Sequence, residues 1–150
     1  MTIDEAIKSK FKSEAQKAVV NLIYTSKYLE LIDDRMMKKF GLTSAQFNVL
    51  RILKGQLPNS ATVNLLIERM LDKSSNASRL VEKLRTKKLV ERIQCPEDRR
   101  AVNVKITQKG LDLLTEIDPF MAEMNNKLSS IGEEKLKMFN EILDEIRLKI

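Results

Sequence analysis

Apolar residues recur at steps of three and four early in the chain: Phe11, Ala15, Ala18, Leu22, Leu29, Ile32, Met36 and Phe40, with Ser26 keeping the rhythm. That spacing draws one stripe along a helix of about seven turns, widened by Val19 and Ile23. Gly41 ends the helix, because glycine takes the left-handed conformation of a helix C-terminus without steric cost. Thr43-Ser44-Ala45-Gln46 reads as a capping box that starts a short helix with Phe47, Leu50 and Leu53 inward, and Gly55 and Pro58 punctuate its end. Asn59 or Ser60 is expected to cap a further short helix that buries Val63, Leu66, Ile67 and Met70. Asp72-Lys73-Ser74-Ser75 then reads as a turn and N-cap. The helix after it buries Ala77, Leu80, Val81 and Leu84 and presents Ser75, Asn76, Ser78, Arg79, Glu82 and Lys83 outward.

The period then changes from helical to alternating. Leu89-Val90-Glu91-Arg92-Ile93 reads as a strand, Cys95 to Arg100 as a turn-rich loop, and Ala101 to Ile106 as a second strand with Val102, Val104 and Ile106 on one face. Three helices followed by a hairpin with a charged tip is the order of a winged helix-turn-helix domain. Thr107 caps the next helix, which carries Leu111, Leu114, Ile117 and Met121 at helical spacing and contains Pro119, a residue that can kink a helix without ending it. Ser130 and Glu133 read as another capping box, and Leu136, Phe139, Leu143 and Ile146 stripe the last helix. Striped helices at both termini with little else to pack on imply pairing across a two-fold axis, because each alone leaves a large apolar patch in water. The expected fold is therefore mainly α with a small β-wing. Residues 1–40 and 110–150 form a helical dimerisation region, and residues 41–109 form the winged lobe.

Composition narrows the chemistry. At 150 residues, 43% hydrophobic and 32% charged, the chain suits one domain with an extension for dimerisation. No apolar run approaches the roughly 18 residues that span a bilayer, Met1 to Glu5 lack a signal-peptide pattern, and the single cysteine, Cys95, cannot close an internal disulfide. A cytoplasmic protein that engages no membrane is expected. With no histidine, Ser-His-Asp and Cys-His systems and histidine-containing zinc sites are excluded, and the four scattered glycines make no phosphate loop. Catalysis, a metal and a cofactor are not expected.

Charge is uneven. Residues 1–72 carry 11 Lys/Arg against 8 Asp/Glu, residues 73–109 carry 11 against 4, and residues 110–150 carry 5 against 9. A basic centre fits the footprint of a polyanion and a plainly solvated surface equally well.

The motifs decide between them. Ser74 to Leu84 resembles the recognition helix of the MarR family of transcription regulators. Leu89-Val90-Glu91-Arg92, Pro96 to Val102 and Ile106-Thr107-Gln108-Lys109-Gly110 resemble its wing and exit, and Gly41 to Phe47 resembles the start of its second helix. The resemblance is close over roughly residues 41–110. It implies a homodimer on a pseudo-palindromic duplex DNA operator, modulated by a small-molecule effector whose binding residues the sequence does not reveal. Ser74, Ser75, Asn76, Ser78 and Arg79 would face the major groove, where an arginine can bond guanine bidentately, and Lys83 would meet phosphate. Arg99 and Arg100 would enter the minor groove from the wing, with Asp98 bracing Arg100. Lys87, Lys88, Arg92, Lys105 and Lys109 are further phosphate candidates. Tyr24, Tyr28, Met36, Met37 and Phe47 could line an effector crevice or be plain core. Thiol-sensing relatives carry their cysteine near the N-terminus, which this chain does not. The competing class is a winged-helix module that contacts only protein, and the arginines of the tip argue against it.

Overall fold

The computed structural model describes residues 1–94 and 102–150. In chain order they form α1 (Ile3–Ile7), α2 (Glu14–Lys39), α3 (Ser44–Gln56), β1 (Ala61–Thr62), α4 (Val63–Arg69), α5 (Ala77–Thr86), β2 (Val90–Gln94), β3 (Val102–Ile106), α6 (Gln108–Ser129) and α7 (Glu133–Lys149). The strands make one antiparallel sheet in the order β1-β3-β2, with Ala61 opposite Val104 and Arg92 opposite the same Val104 on the other side.

One apolar cluster holds the lobe together. Val49, Leu50 and Leu53 of α3, Leu66 of α4, Val81 and Leu84 of α5, and Val104 and Ile106 of β3 are buried in it. Met37 of α2 and Leu114 and Ile117 of α6 join the same cluster, so the first turns of α6 belong to the lobe as well as to the helical extension. Polar links reinforce that junction: Asp118 of α6 lies 3.2 Å from Arg51 and 3.5 Å from Lys54 of α3, and the rings of Phe40 and Phe120 meet edge to face at 5.4 Å. Beyond the junction the apolar stripes lie uncovered. Met37 is the one buried residue of α2, and α7 has none. Ile23 and Tyr28 are each 57% exposed and Phe139 is 50% exposed.

Most caps fall where the pattern puts them. Gly41 takes φ +67, with its amide and that of Leu42 returning to the carbonyls of Lys38 and Met37. Thr43 and Gln46 close the capping box, and the Thr107 hydroxyl accepts from the Gly110 amide at the start of α6, which runs on through Pro119. Five readings need correction. Phe11 lies outside the long helix, which starts only after the Ser13 cap. Thr62, not Asn59 or Ser60, caps α4, because Ala61 and Thr62 have first paired with β3. Ile67 is 45% exposed rather than buried. Neither Ser74 nor Ser75 caps α5; Asn76 does. Ser130 and Glu133 form no capping box: the Ser130 hydroxyl donates to the Lys127 carbonyl at 2.6 Å, and α7 starts at Gly132 with no side-chain cap. Among the described residues, no helix is long and apolar enough to cross a membrane.

Candidate nucleic-acid interface

The turn between α4 and α5 is built around one carboxylate. Asp72 accepts from the Ser74 amide at 2.9 Å and from the hydroxyls of Ser74 and Ser75, each at 2.6 Å. Those bonds, the Ser74 hydroxyl first, hold the Asp72 carboxyl below the usual range, and the charge of Lys27 adds to the effect. The two serine protons are committed to Asp72, so toward an outside partner these hydroxyls can only accept. Lys73 turns the other way and closes the end of α4, donating to the carbonyls of Ile67, at 3.2 Å, and Glu68. Asn48 of α3 fixes the same turn by accepting from the Leu71 amide at 3.1 Å. Asn48 carries no sequence signal and Lys73 shows there only as part of the turn, because their partners are backbone groups.

Asn76 begins α5, its side-chain oxygen accepting from the Arg79 amide at 2.9 Å, which leaves its NH2 group to face outward. From there the helix divides cleanly. Ala77, Val81 and Leu84 are buried; Ser78, Arg79 and Lys83 are exposed, and neither Arg79 nor Lys83 has an ionic partner among the described residues. The structure thus gathers Ser74, Ser75, Asn76, Ser78, Arg79 and Lys83 at the start and along the outer face of one helix. Asp98, Arg99, Arg100 and Cys95 lie outside the described residues.

Several of the further basic residues have internal partners. The Lys87 ammonium donates to the Gly41 carbonyl and lies 3.5 Å from the Gln46 Oε1. Lys109 donates to the Lys87 carbonyl at 3.0 Å, and Arg92 lies 3.3 Å from Glu82. Glu82 also holds Arg85, at 2.6 Å, and that hydrogen bond, with the charges of Arg85 and Arg92, keeps its carboxyl below the usual range. Of the aromatic and sulfur side chains weighed for an effector crevice, Met37 is core and Phe47 packs against it. Met36 lines an open groove of about 270 Å³ between α2 and α6, with Ile32 and Phe120 beside it and Arg35 and Lys39 among its polar residues.

The profile of the MarR family matches residues 40–101, a stretch that takes in α3 to β2. Over 139 residues the chain is 33% identical to the HTH-type transcriptional regulator MhqR of Bacillus subtilis, covering 89% of this chain and 93% of that protein. The chain belongs to the MarR family. It is a transcription regulator with a winged-helix lobe, as the recognition-helix and wing motifs implied. Solved structures that share its fold include two of regulators named with DNA. The S. aureus MepR–DNA complex superposes with a TM-score of 0.77 at 21% identity, covering 94% of this chain and 100% of that one. Bordetella bronchiseptica BpsR, whose DNA binding is regulated by 6-hydroxynicotinic acid, superposes with a TM-score of 0.77 at 21% identity, covering 93% and 98%.

Proposed function

We propose that this MarR-family protein acts as a homodimer in the cytoplasm, each protomer setting α5 into the major groove of one half of a pseudo-palindromic duplex operator, most simply to repress. The observation that carries this reading is the outer face of α5, where Asn76, Ser78, Arg79 and Lys83 are exposed together at a helix start fixed on three sides by Asp72, Lys73 and Asn48. A rigid start with free backbone amides suits phosphate, and the polar side chains beyond it suit base edges. Ser74 and Ser75, acceptors only while bonded to Asp72, suit base amino groups better than phosphate. Arg99 and Arg100 would follow the minor groove alongside, with Asp98 bracing the wing. The role needs no catalytic step, metal or cofactor.

Dimerisation of residues 1–40 with 110–150 would cover the stripes that α2 and α7 leave bare. The groove between α2 and α6 lies at the junction of lobe and extension, so a small molecule seated there would favour one lobe spacing over another. Its rim carries Arg35 and Lys39 beside the paired Lys127 and Glu123, a net positive edge over apolar walls that suits an aromatic anion, and BpsR, of like fold, answers to one such acid. Titration of labelled duplex by fluorescence anisotropy tests the interface. The wild type should lose at least tenfold in affinity between about 50 and 200 mM salt, in line with several phosphate contacts. Arg79→Ala should cost about 1–3 kcal/mol on a selected operator and little on random duplex. Equal loss on both duplexes would remove Arg79 from base reading, and no binding at low salt would overturn the interface.

A further inference from the structure

Glu82 is the one acidic residue of α5; it is half-buried and lies between Ser78 and Arg79 in phase, on the flank of the outer face and away from the buried Ala77, Val81 and Leu84. An ionised carboxylate there repels phosphate and donates no hydrogen bond. Its oxygens are taken up within the protein. Oε1 accepts from Arg85 Nη2 at 2.6 Å and Nε at 3.1 Å; Oε2 lies 3.2 Å from Arg85 Nε and 3.3 Å from Arg92 Nη2. Arg85 sits one turn along the same helix, whereas Arg92 comes from β2, in register with the buried Val104 of β3. Among the described residues this is the one ion pair between α5 and the β2–β3 hairpin. The side chains of Glu82, Arg85 and Arg92 are 44%, 52% and 45% exposed, so the cluster contributes little to folding. Its consequence is geometric and electrostatic: it ties the reading helix to the wing strand, and it occupies two guanidiniums at the edge of a surface built for polyanions.

We propose that Glu82 is a positioning residue for sequence discrimination, holding Arg85 and Arg92 off the DNA backbone and fixing the angle between α5 and the wing. The inference rests on the DNA-binding reading above. Freed arginines would bind any phosphate, strengthening contact with every duplex alike, while a loosened wing would weaken the match to one register. Affinity for random DNA would rise and selectivity would fall.

The test uses the full-length protein as wild type, Glu82→Gln and Arg92→Gln. Each is titrated at several salt concentrations against a random duplex and a duplex recovered by selection. Glu82→Gln should bind the random duplex about tenfold more tightly in dilute salt, with a salt slope steeper by up to about 2 per protomer, since each added phosphate contact contributes about 0.9. The ratio of selected to random affinity should fall about tenfold. Arg92→Gln, which leaves the Glu82–Arg85 pair in place, should lower the same ratio without steepening the slope. If circular dichroism shows Glu82→Gln unfolded, Arg92→Gln decides alone: a lowered ratio supports the role and a wild-type ratio overturns it. A Glu82→Gln protein with wild-type slope and ratio overturns the proposal. So does one that loses preference at a single base pair only, which would make Glu82 a base-reading group. Failure of the wild type to bind any duplex would instead sink the reading beneath it.

Discussion

Gly110 and Gly55 are both helical, and the same substitution should move them in opposite directions. Alanine exceeds glycine in helix propensity by about 1 kcal/mol, so a methyl with room around it stabilises. At Gly55, in the last turns of α3, an added Cβ meets nothing within 4 Å. Gly55→Ala should therefore gain up to about 1 kcal/mol. At Gly110, in the first turn of α6, the added Cβ would overlap the Leu89 carbonyl oxygen and sit 2.7 Å from Ile106 Cγ1, about 1 Å inside ordinary carbon–carbon contact. Neither neighbour yields easily: the Leu89 carbonyl already accepts from the Thr107 amide at 3.1 Å, and Ile106 ends β3 with its side chain in the core. Overpacking of this kind costs about 1–3 kcal/mol, and here the upper part of that range applies. After the propensity gain, Gly110→Ala should be destabilised by about 1–2 kcal/mol, a fall of about 2–8 °C in Tm for a chain of this size. Urea and thermal unfolding at one fixed protomer concentration would measure both variants, since a dimer's stability depends on concentration. Shifts of the same sign at the two sites, or a Gly110→Ala protein as stable as wild type, would refute the reasoning.

Other consequences can be checked with the same assays. Lys88 ends α5 at φ 60, its amide bonded to the Arg85 carbonyl, so Lys88→Gly should relieve about 1 kcal/mol of left-handed strain and raise the urea midpoint. Asp72 has a depressed carboxyl pKa in the folded state, so its contribution is present above the unfolded value and is lost as pH falls through the lower, folded one. Asp72→Asn should flatten the acid limb of a stability-against-pH curve below about pH 4, and an unchanged limb would remove Asp72 from that role.

The elements that could be read from sequence were those whose determinants are local. Thr43 with Gln46, Thr107 with Gly110 and the left-handed Gly41 are each settled within one turn of chain, and the structure has them as read. What escaped turned either on a partner far along the chain or on a choice between rival local bonds. Ala61 and Thr62 are too few to show a period, and they become a strand only because Val104 and Asn103 lie alongside. Ser74, Ser75 and Asn76 are all good caps, and the choice among them turns on Asp72 taking both serine hydroxyls. Ser130 departs from the cap pattern for a related reason, its hydroxyl turning back to the Lys127 carbonyl rather than forward to an amide. The basic excess of the central segment was plain, but its division was not. Arg79 and Lys83 stay open while Lys87, Lys109 and Arg92 are tied to groups on other elements, a distinction made by distance alone. Along α2 only Met37 is buried and along α7 nothing is, so the stripes read from the sequence lie largely open on the single chain.

The central claim is that two protomers present paired α5 helices to consecutive turns of one DNA duplex. Selecting bound fragments from random duplex, then footprinting the best of them with hydroxyl radicals while weighing the complex by sedimentation, measures this directly. Two protomers per site, with inverted half-sites protected about 10–10.5 base pairs apart, is the expected result. A single protomer on the duplex, or one protected patch with no inverted mate, would contradict it.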